Sequence, residues 1–116
     1  MNTFTEQEIK DTLKVIVSTI TSCEKVQPKL KEGSASLSLN RNRIKALYIS
    51  KDLLMHVEHH YTKEELEKAV TQITSIKNKS ITGINNAKKG SATYTRFSRL
   101  IAAMNIILAH LQEALH

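Results

Sequence analysis

Shifting the sequence by 57 residues lays its first half over its second without a gap, and this register limits what the chain can fold into more than any other feature. Phe4-Thr5-Glu6-Gln7-Glu8-Ile9 falls on Tyr61-Thr62-Lys63-Glu64-Glu65-Leu66, and Lys31-Glu32-Gly33-Ser34-Ala35-Ser36 on Lys88-Lys89-Gly90-Ser91-Ala92-Thr93. Ile16 then meets Ile73, Ile44 meets Ile101, Ala46 meets Ala103, Ile49 meets Ile106 and Leu54 meets Leu111. The 56 aligned positions hold 13 identities, where about three are expected at ordinary composition. Such a unit is one supersecondary element, and it buries its apolar face against its own copy.

Each half reads as two helices joined through a glycine. Thr5 with Glu8, and Thr62 with Glu65, fit the capping box, with Phe4/Ile9 and Tyr61/Leu66 as the apolar pairs that flank such a cap. The first helix carries a seam through Ile9, Leu13, Ile16, Ile20, Cys23 and Leu30, and the fourth one through Tyr94, Phe97, Ile101, Met104, Leu108, Leu111 and Leu115. The second shows Ile44, Leu47, Leu54 and Val57, the third Leu66, Val70, Ile73 and Ile76. Pro28 and the Ser80 to Ile84 stretch with Gly83 predict kinked or frayed ends for the first and third helices. No strand pattern competes. The expected fold is all-α: an antiparallel four-helix bundle of two repeated hairpins, about 4–60 and 61–116, in one domain spanning 1–116. The join at His59-His60-Tyr61-Thr62 has neither Gly nor Pro, so a continuous second and third helix, which would require a swapped dimer, is the competing arrangement.

At 116 residues the chain is long enough for one core without a metal or a disulfide, and Cys23, the single cysteine, can form no internal bridge. The acidic, polar start is unlike a secretory signal. The longest apolar-rich run, Leu100 to Leu111, is interrupted by Asn105 and His110 and falls short of the roughly 18 to 20 residues of a membrane span. A soluble, cytoplasmic protein with no membrane span is the expectation.

Charge is segregated. Folding the hairpins brings residues 21–45 and 78–102 to the end that holds Gly33 and Gly90, and these segments contain eleven bases against only Glu24 and Glu32. Their charge is +9 against −3 for the remainder, within a formal +6 overall. Arg41, Arg43, Arg96 and Arg99 lie early in their helices, where the helix dipole favours acids and free N–H groups attract anions. Lys31, Ser34, Arg41, Arg43, Lys88, Lys89, Ser91, Arg96 and Arg99, with Ser36 and Thr93 beside them, are therefore the candidate partner- or anion-binding residues. An acidic protein surface is the expected partner. Nucleic acid is the alternative, through backbone contacts only, because long helices do not suit a helix-turn-helix and the few aromatics leave no stacking platform.

Other chemistry is poorly supported. His56, His59, His60, His110 and His116, with Glu113 and the capping Glu8 and Glu65, have Glu-x-x-His spacing, yet they crowd an open bundle end and the two glutamates are explained as caps, so no metal or other cofactor is expected. Cys23 on an apolar seam reads as a core residue, and Lys-x-Gly-Ser-Ala lacks the spacing of a phosphate loop, so no enzyme is expected. Leu100, Ala102, Ala103, Ile106, Ile107 and Ala109 make the fourth helix apolar on nearly every side, as a central helix or as a homodimer interface. In size, basic charge and helical-bundle character the chain resembles the bacteriocin immunity proteins. That resemblance implies an immunity-type or regulatory protein acting through the apolar face of the fourth helix, at Ile106 or Ile107.

Overall fold

The computed structural model describes residues 3–116. Four helices, α1 (Glu6–Val26), α2 (Ala35–Leu54), α3 (Lys63–Asn86) and α4 (Ala92–Leu115), pack as a compact antiparallel bundle, and among the described residues there is no strand. Neighbours in sequence are neighbours in space, α4 closes back onto α1, and the α2–α4 diagonal also touches. No helix among the described residues is long and apolar enough to cross a membrane.

The repeat governs the local structure. Thr5 and Thr62 each accept from the backbone three residues on while Glu8 and Glu65 reach back to the cap N–H, so both capping boxes are complete. Ser34 and Ser91 cap α2 and α4 in the same way as one another, accepting from the N–H groups of Leu37 and Tyr94. The connections match too: the Ser34 and Ser91 N–H groups donate to Lys31 and Lys88 across turns whose third residues, Gly33 and Gly90, have φ of +80° and +86°. Lys-x-Gly-Ser-Ala is thus the recipe for a turn followed by a helix start.

Burial follows the 57-residue register. Ile16 and Ile73 are both fully enclosed, and so are Leu47 and Met104, while Leu54 and Leu111, Ala46 and Ala103, and Ile49 and Ile106 are buried as pairs. At roughly 25 cal/mol per Å² of apolar surface removed from water, this shared core is the principal driving force for folding. Two hollows obey the same symmetry. One lies between α2 and α3 at Lys45, Ala46, Ile49 and Glu65, the other between α4 and α1 at their repeat mates Ala102, Ala103, Ile106 and Glu8.

Two expectations need correction, and one alternative falls away. The fourth position of the second seam, Val57, is exposed because α2 stops at Leu54; a left-handed His56 (φ 56°) and irregular chain to Thr62 separate α2 from α3. The continuous rod is thereby excluded. The end of α3 is regular helix through Asn86, since Ser80 is buried with its hydroxyl on the Ile76 carbonyl and Gly83 lies directly beneath the Phe97 ring. Only α1 breaks early: Pro28, which has no N–H to donate, sits in a 3-10 turn over Gln27–Lys29.

Gly33→Ala and Gly90→Ala should each cost about 1–2 kcal/mol in urea unfolding, the penalty of a left-handed backbone with a Cβ, because nothing lies within 4 Å of either added carbon. Unchanged midpoints would refute that backbone reading.

Candidate functional site

The two glycine turns define one pole, and its chemistry differs from the opposite pole. Helices α1 and α3 begin with Glu6, Glu8, Glu64 and Glu65, whereas α2 and α4 begin at the glycine pole with no acid in the first turn. Lys31, Arg41, Lys88, Lys89, Arg96 and Arg99 are all exposed there. Among the described residues, only Arg41 and Lys45 of the eleven bases are ion-paired, Arg41 with Glu32 at 3.8 Å and Lys45 with Glu65 at 3.3 Å. The first pair is exposed on both sides, where such contacts stabilise little. The second removes Lys45 from the pole, because Glu65 belongs to the first turn of α3 at the far end. The Glu65 carboxyl is held below its usual range by the Thr62 backbone N–H and then by the Lys45 ammonium.

Not every predicted residue faces outward. Ser34 and Ser91 already serve as helix caps. Arg43 turns inward: half-buried, it crosses from α2 to α3, where its Nη2 lies 3.5 Å from the Ser75 hydroxyl, and its Nε is enclosed with no hydrogen-bond partner. A buried donor left unsatisfied costs about 1–3 kcal/mol. Arg43 therefore belongs to the interior and not to the exposed docking face expected for it.

The repeat explains what lies beside it. The mate of Arg43 is Leu100, and the mate of Ile76 is Thr19. Where the α2–α3 interface has Arg43 and Ile76, the α4–α1 interface has Leu100 and the smaller Thr19, and a cleft of about 700 Å³ lies between α1 and α4. Its α1 wall is Val15, Ser18, Thr19, Ser22 and Cys23; Phe97 and Leu100 face them from α4. Ile76 and Arg43 lie in its lining, as do Lys79, Arg96 and Arg99, all three exposed. The Arg96 guanidinium sits 5.2 Å from the centre of the Phe97 ring. Four bases and no acid line the cleft.

Hairpin chemistry also differs between the copies. Asn40 donates to the Cys23 carbonyl at 2.9 Å, tying α2 to the end of α1, whereas its mate Phe97 lays its ring on Gly83. A Cβ on Gly83 would come within 2.5 Å of that ring, so the glycine sets how closely α3 and α4 approach. Cys23 is only partly buried, yet desolvation pushes its thiol above the ordinary range, outweighing the opposing field of Arg43. The thiolate, the reactive form, is thereby disfavoured at neutral pH.

The histidines do not form the helical pattern read from their spacing. His56, His59 and His60 lie beyond α2 in irregular chain. His59 stacks on Tyr61 and accepts from its N–H, while His110 stacks on Phe4 and bonds the Ile106 carbonyl. Among the described residues, no three His, Cys, Asp or Glu side chains converge. Tyr61 donates to Asp52 at 2.5 Å, a bond that ties the irregular segment to α2 and pushes the phenol up to about 12. Ile106 and Ile107 are 9% and 0% exposed, so the apolar girth of α4 is core surface and not an open face.

Compared with protein-family models, curated proteins and solved structures, the chain finds no match.

Two outcomes follow. Arg43→Leu, which copies the repeat mate, should raise unfolding free energy by about 1–3 kcal/mol by removing an unsatisfied buried donor; a loss of stability in urea melts would contradict the interior placement. In an alkaline titration followed at 295 nm, Tyr61 should ionise near pH 12, about two units above an ordinary tyrosine. Because the folded phenol is the raised one, its contribution to stability is complete below about pH 10 and is lost as pH climbs toward 12. Tyr61→Phe should abolish the late phase, and a profile unaltered by that substitution would contradict the Asp52 bond.

Proposed function

We propose that this chain is a non-enzymatic interaction protein whose glycine pole docks an acidic protein surface. The observation that carries the reading is uncompensated charge: of the pole's bases, only Arg41 has an acid beside it among the described residues once Lys45 is assigned to the middle of the bundle. Lys31, Lys88 and Lys89 lie in the two repeated turns, so both hairpins present cations to the same approaching surface. Such a field speeds encounter with an acidic partner and disfavours a basic one. The outer face consists of Lys31, Arg41, Lys88 and Lys89, flanked by Arg96 and Arg99; Ser34 and Ser91 contribute by fixing the helix starts. A lone cysteine, which can form no internal bridge, supports a cytoplasmic setting. A protein partner is favoured over nucleic acid because no row of exposed rings lies on this pole: Phe97 is in the cleft, and Tyr94 is half-buried.

Reversing Lys31, Arg41, Lys88 and Lys89 together to Glu should weaken binding to poly-L-glutamate roughly tenfold or more, a loss of about 1.4 kcal/mol or more, with unchanged helical circular dichroism. Equal binding by the reversed variant would reject the pole as the docking face. Tighter binding of unrelated duplex DNA than of poly-L-glutamate at matched salt would transfer the function to nucleic acid.

A further inference from the structure

We infer that the α1–α4 cleft is a binding site for an amphipathic carboxylate, a single carboxyl group carried on an apolar body. The site adjoins the outer docking face at Arg96 and Arg99, but Lys31, Arg41, Lys88 and Lys89 do not line it. Three observations converge on this ligand. The first is a cation set among apolar side chains: half-buried Arg43 is in the cleft lining, its Nε enclosed by protein and the rest of its side chain partly open. The Arg43 guanidinium makes only one long contact, to Ser75. A guanidinium is planar and matches the two oxygens of a carboxylate, which would add to the single long Ser75 contact at its outer end.

The second observation is the sign of the charge. Lys79, Arg96 and Arg99 join Arg43 in the lining and no acid does, so the lining itself favours an anion, although Glu24 acts on Cys23 and Arg99 also borders the hollow holding Glu8 and Asp11. The third is the apolar surface that the ligand body would cover. Val15, Ile76, Phe97 and Leu100 are partly or wholly buried and line the same space, whose volume of about 700 Å³ falls in the ordinary range for small-molecule sites, about 300–1,000 Å³. The hydroxyls of Thr19, Ser22, Ser80 and Thr95 donate to carbonyls of their own helices, so they are not the anion's donors. That role falls to the bases and to the exposed Ser18.

Cys23 adds no chemistry to the cleft, since burial keeps its thiol protonated. The site holds its ligand and does not transform it. The asymmetry of the repeat supports the same conclusion: Arg43 replaces an apolar residue at an interior position, and the cleft lies at the matching interface. A ligand with an apolar body and one carboxyl would cover the apolar lining and pair with the cations around it.

The test is isothermal titration calorimetry of the full chain with decanoate below its micellar concentration, alongside 1-decanol and decyl phosphate. One saturable site per chain is expected for decanoate, with 1-decanol and Arg43→Leu each weakening binding about tenfold or more. Ser18→Phe, placed at an exposed position of the α1 wall, should abolish binding by filling the cleft while circular dichroism is unchanged. Should Arg43→Leu fail to fold, Ser18→Phe and Arg99→Gln carry the test, the latter expected to weaken binding. No saturable heat, equal affinity for decanol, or full binding by Ser18→Phe would overturn the site. Decyl phosphate binding more than about tenfold tighter than decanoate would overturn the carboxylate assignment. Because the poly-L-glutamate experiment changes only residues outside the cleft, either reading can fail alone.

Discussion

Two copies of one amphipathic hairpin must bury their apolar faces against each other, and the rest of the molecule depends on that mutual burial. Neither hairpin has an interior of its own: Ile16 and Leu47 from the first copy are enclosed only together with Ile73, Met104, Ile107 and Leu111 from the second. Because both hairpins lie in one antiparallel bundle, both helix starts with a Ser cap, both glycine turns and the segments beside them are brought to one end. The capping boxes, with their glutamates, go to the other. Duplication brings both turns to one end, but of the eleven bases there only Lys31 and Lys88 are repeat mates, so most of the charge arose separately in each copy.

The departures from symmetry are as informative as the symmetry. Where the copies agree, they give matched cores and matched hollows. Where they disagree, each difference has a physical result. Arg43 against Leu100 places a charge at one interface and an apolar side chain at the other; Asn40 against Phe97 exchanges a hydrogen bond across the first hairpin for a ring laid on glycine in the second. Pro28, absent from the second copy, ends α1 in a 3-10 turn while α3 continues as α-helix. A half-buried guanidinium with an enclosed, unbonded Nε is a poor choice for stability alone, which sets Arg43 apart from the other bases of this pole.

Much of the fold was legible in the sequence because it is written in local signals that tertiary packing reinforces. Thr-x-x-Glu at both hairpin starts, Gly-Ser at both turns and three-and-four spacing of aliphatic residues all point the same way. The stop of α2 at Leu54 was not legible, since it depends on His56 adopting a left-handed conformation and on Tyr61 reaching back to Asp52. Nor did helical spacing reveal the fate of the histidines, which that same break removes from any helix. The cleft was hidden for a different reason. Arg43 reads as one more member of a basic cluster unless it is compared with Leu100 at the matching position, and that comparison was available in the 57-residue register. Ser18, Thr19 and Ser22, polar residues of the first helix, gave no sign that they would form a wall.

Arg43 holds its Nε inside the bundle while the other arginines of the glycine pole are exposed. Side-chain hydrogen exchange resolved by NMR at each arginine Nε reads this directly. The account predicts that the Arg43 Nε–H exchanges far more slowly than those of Arg41, Arg96 and Arg99. Exchange of all four at one solvent-limited rate would contradict it.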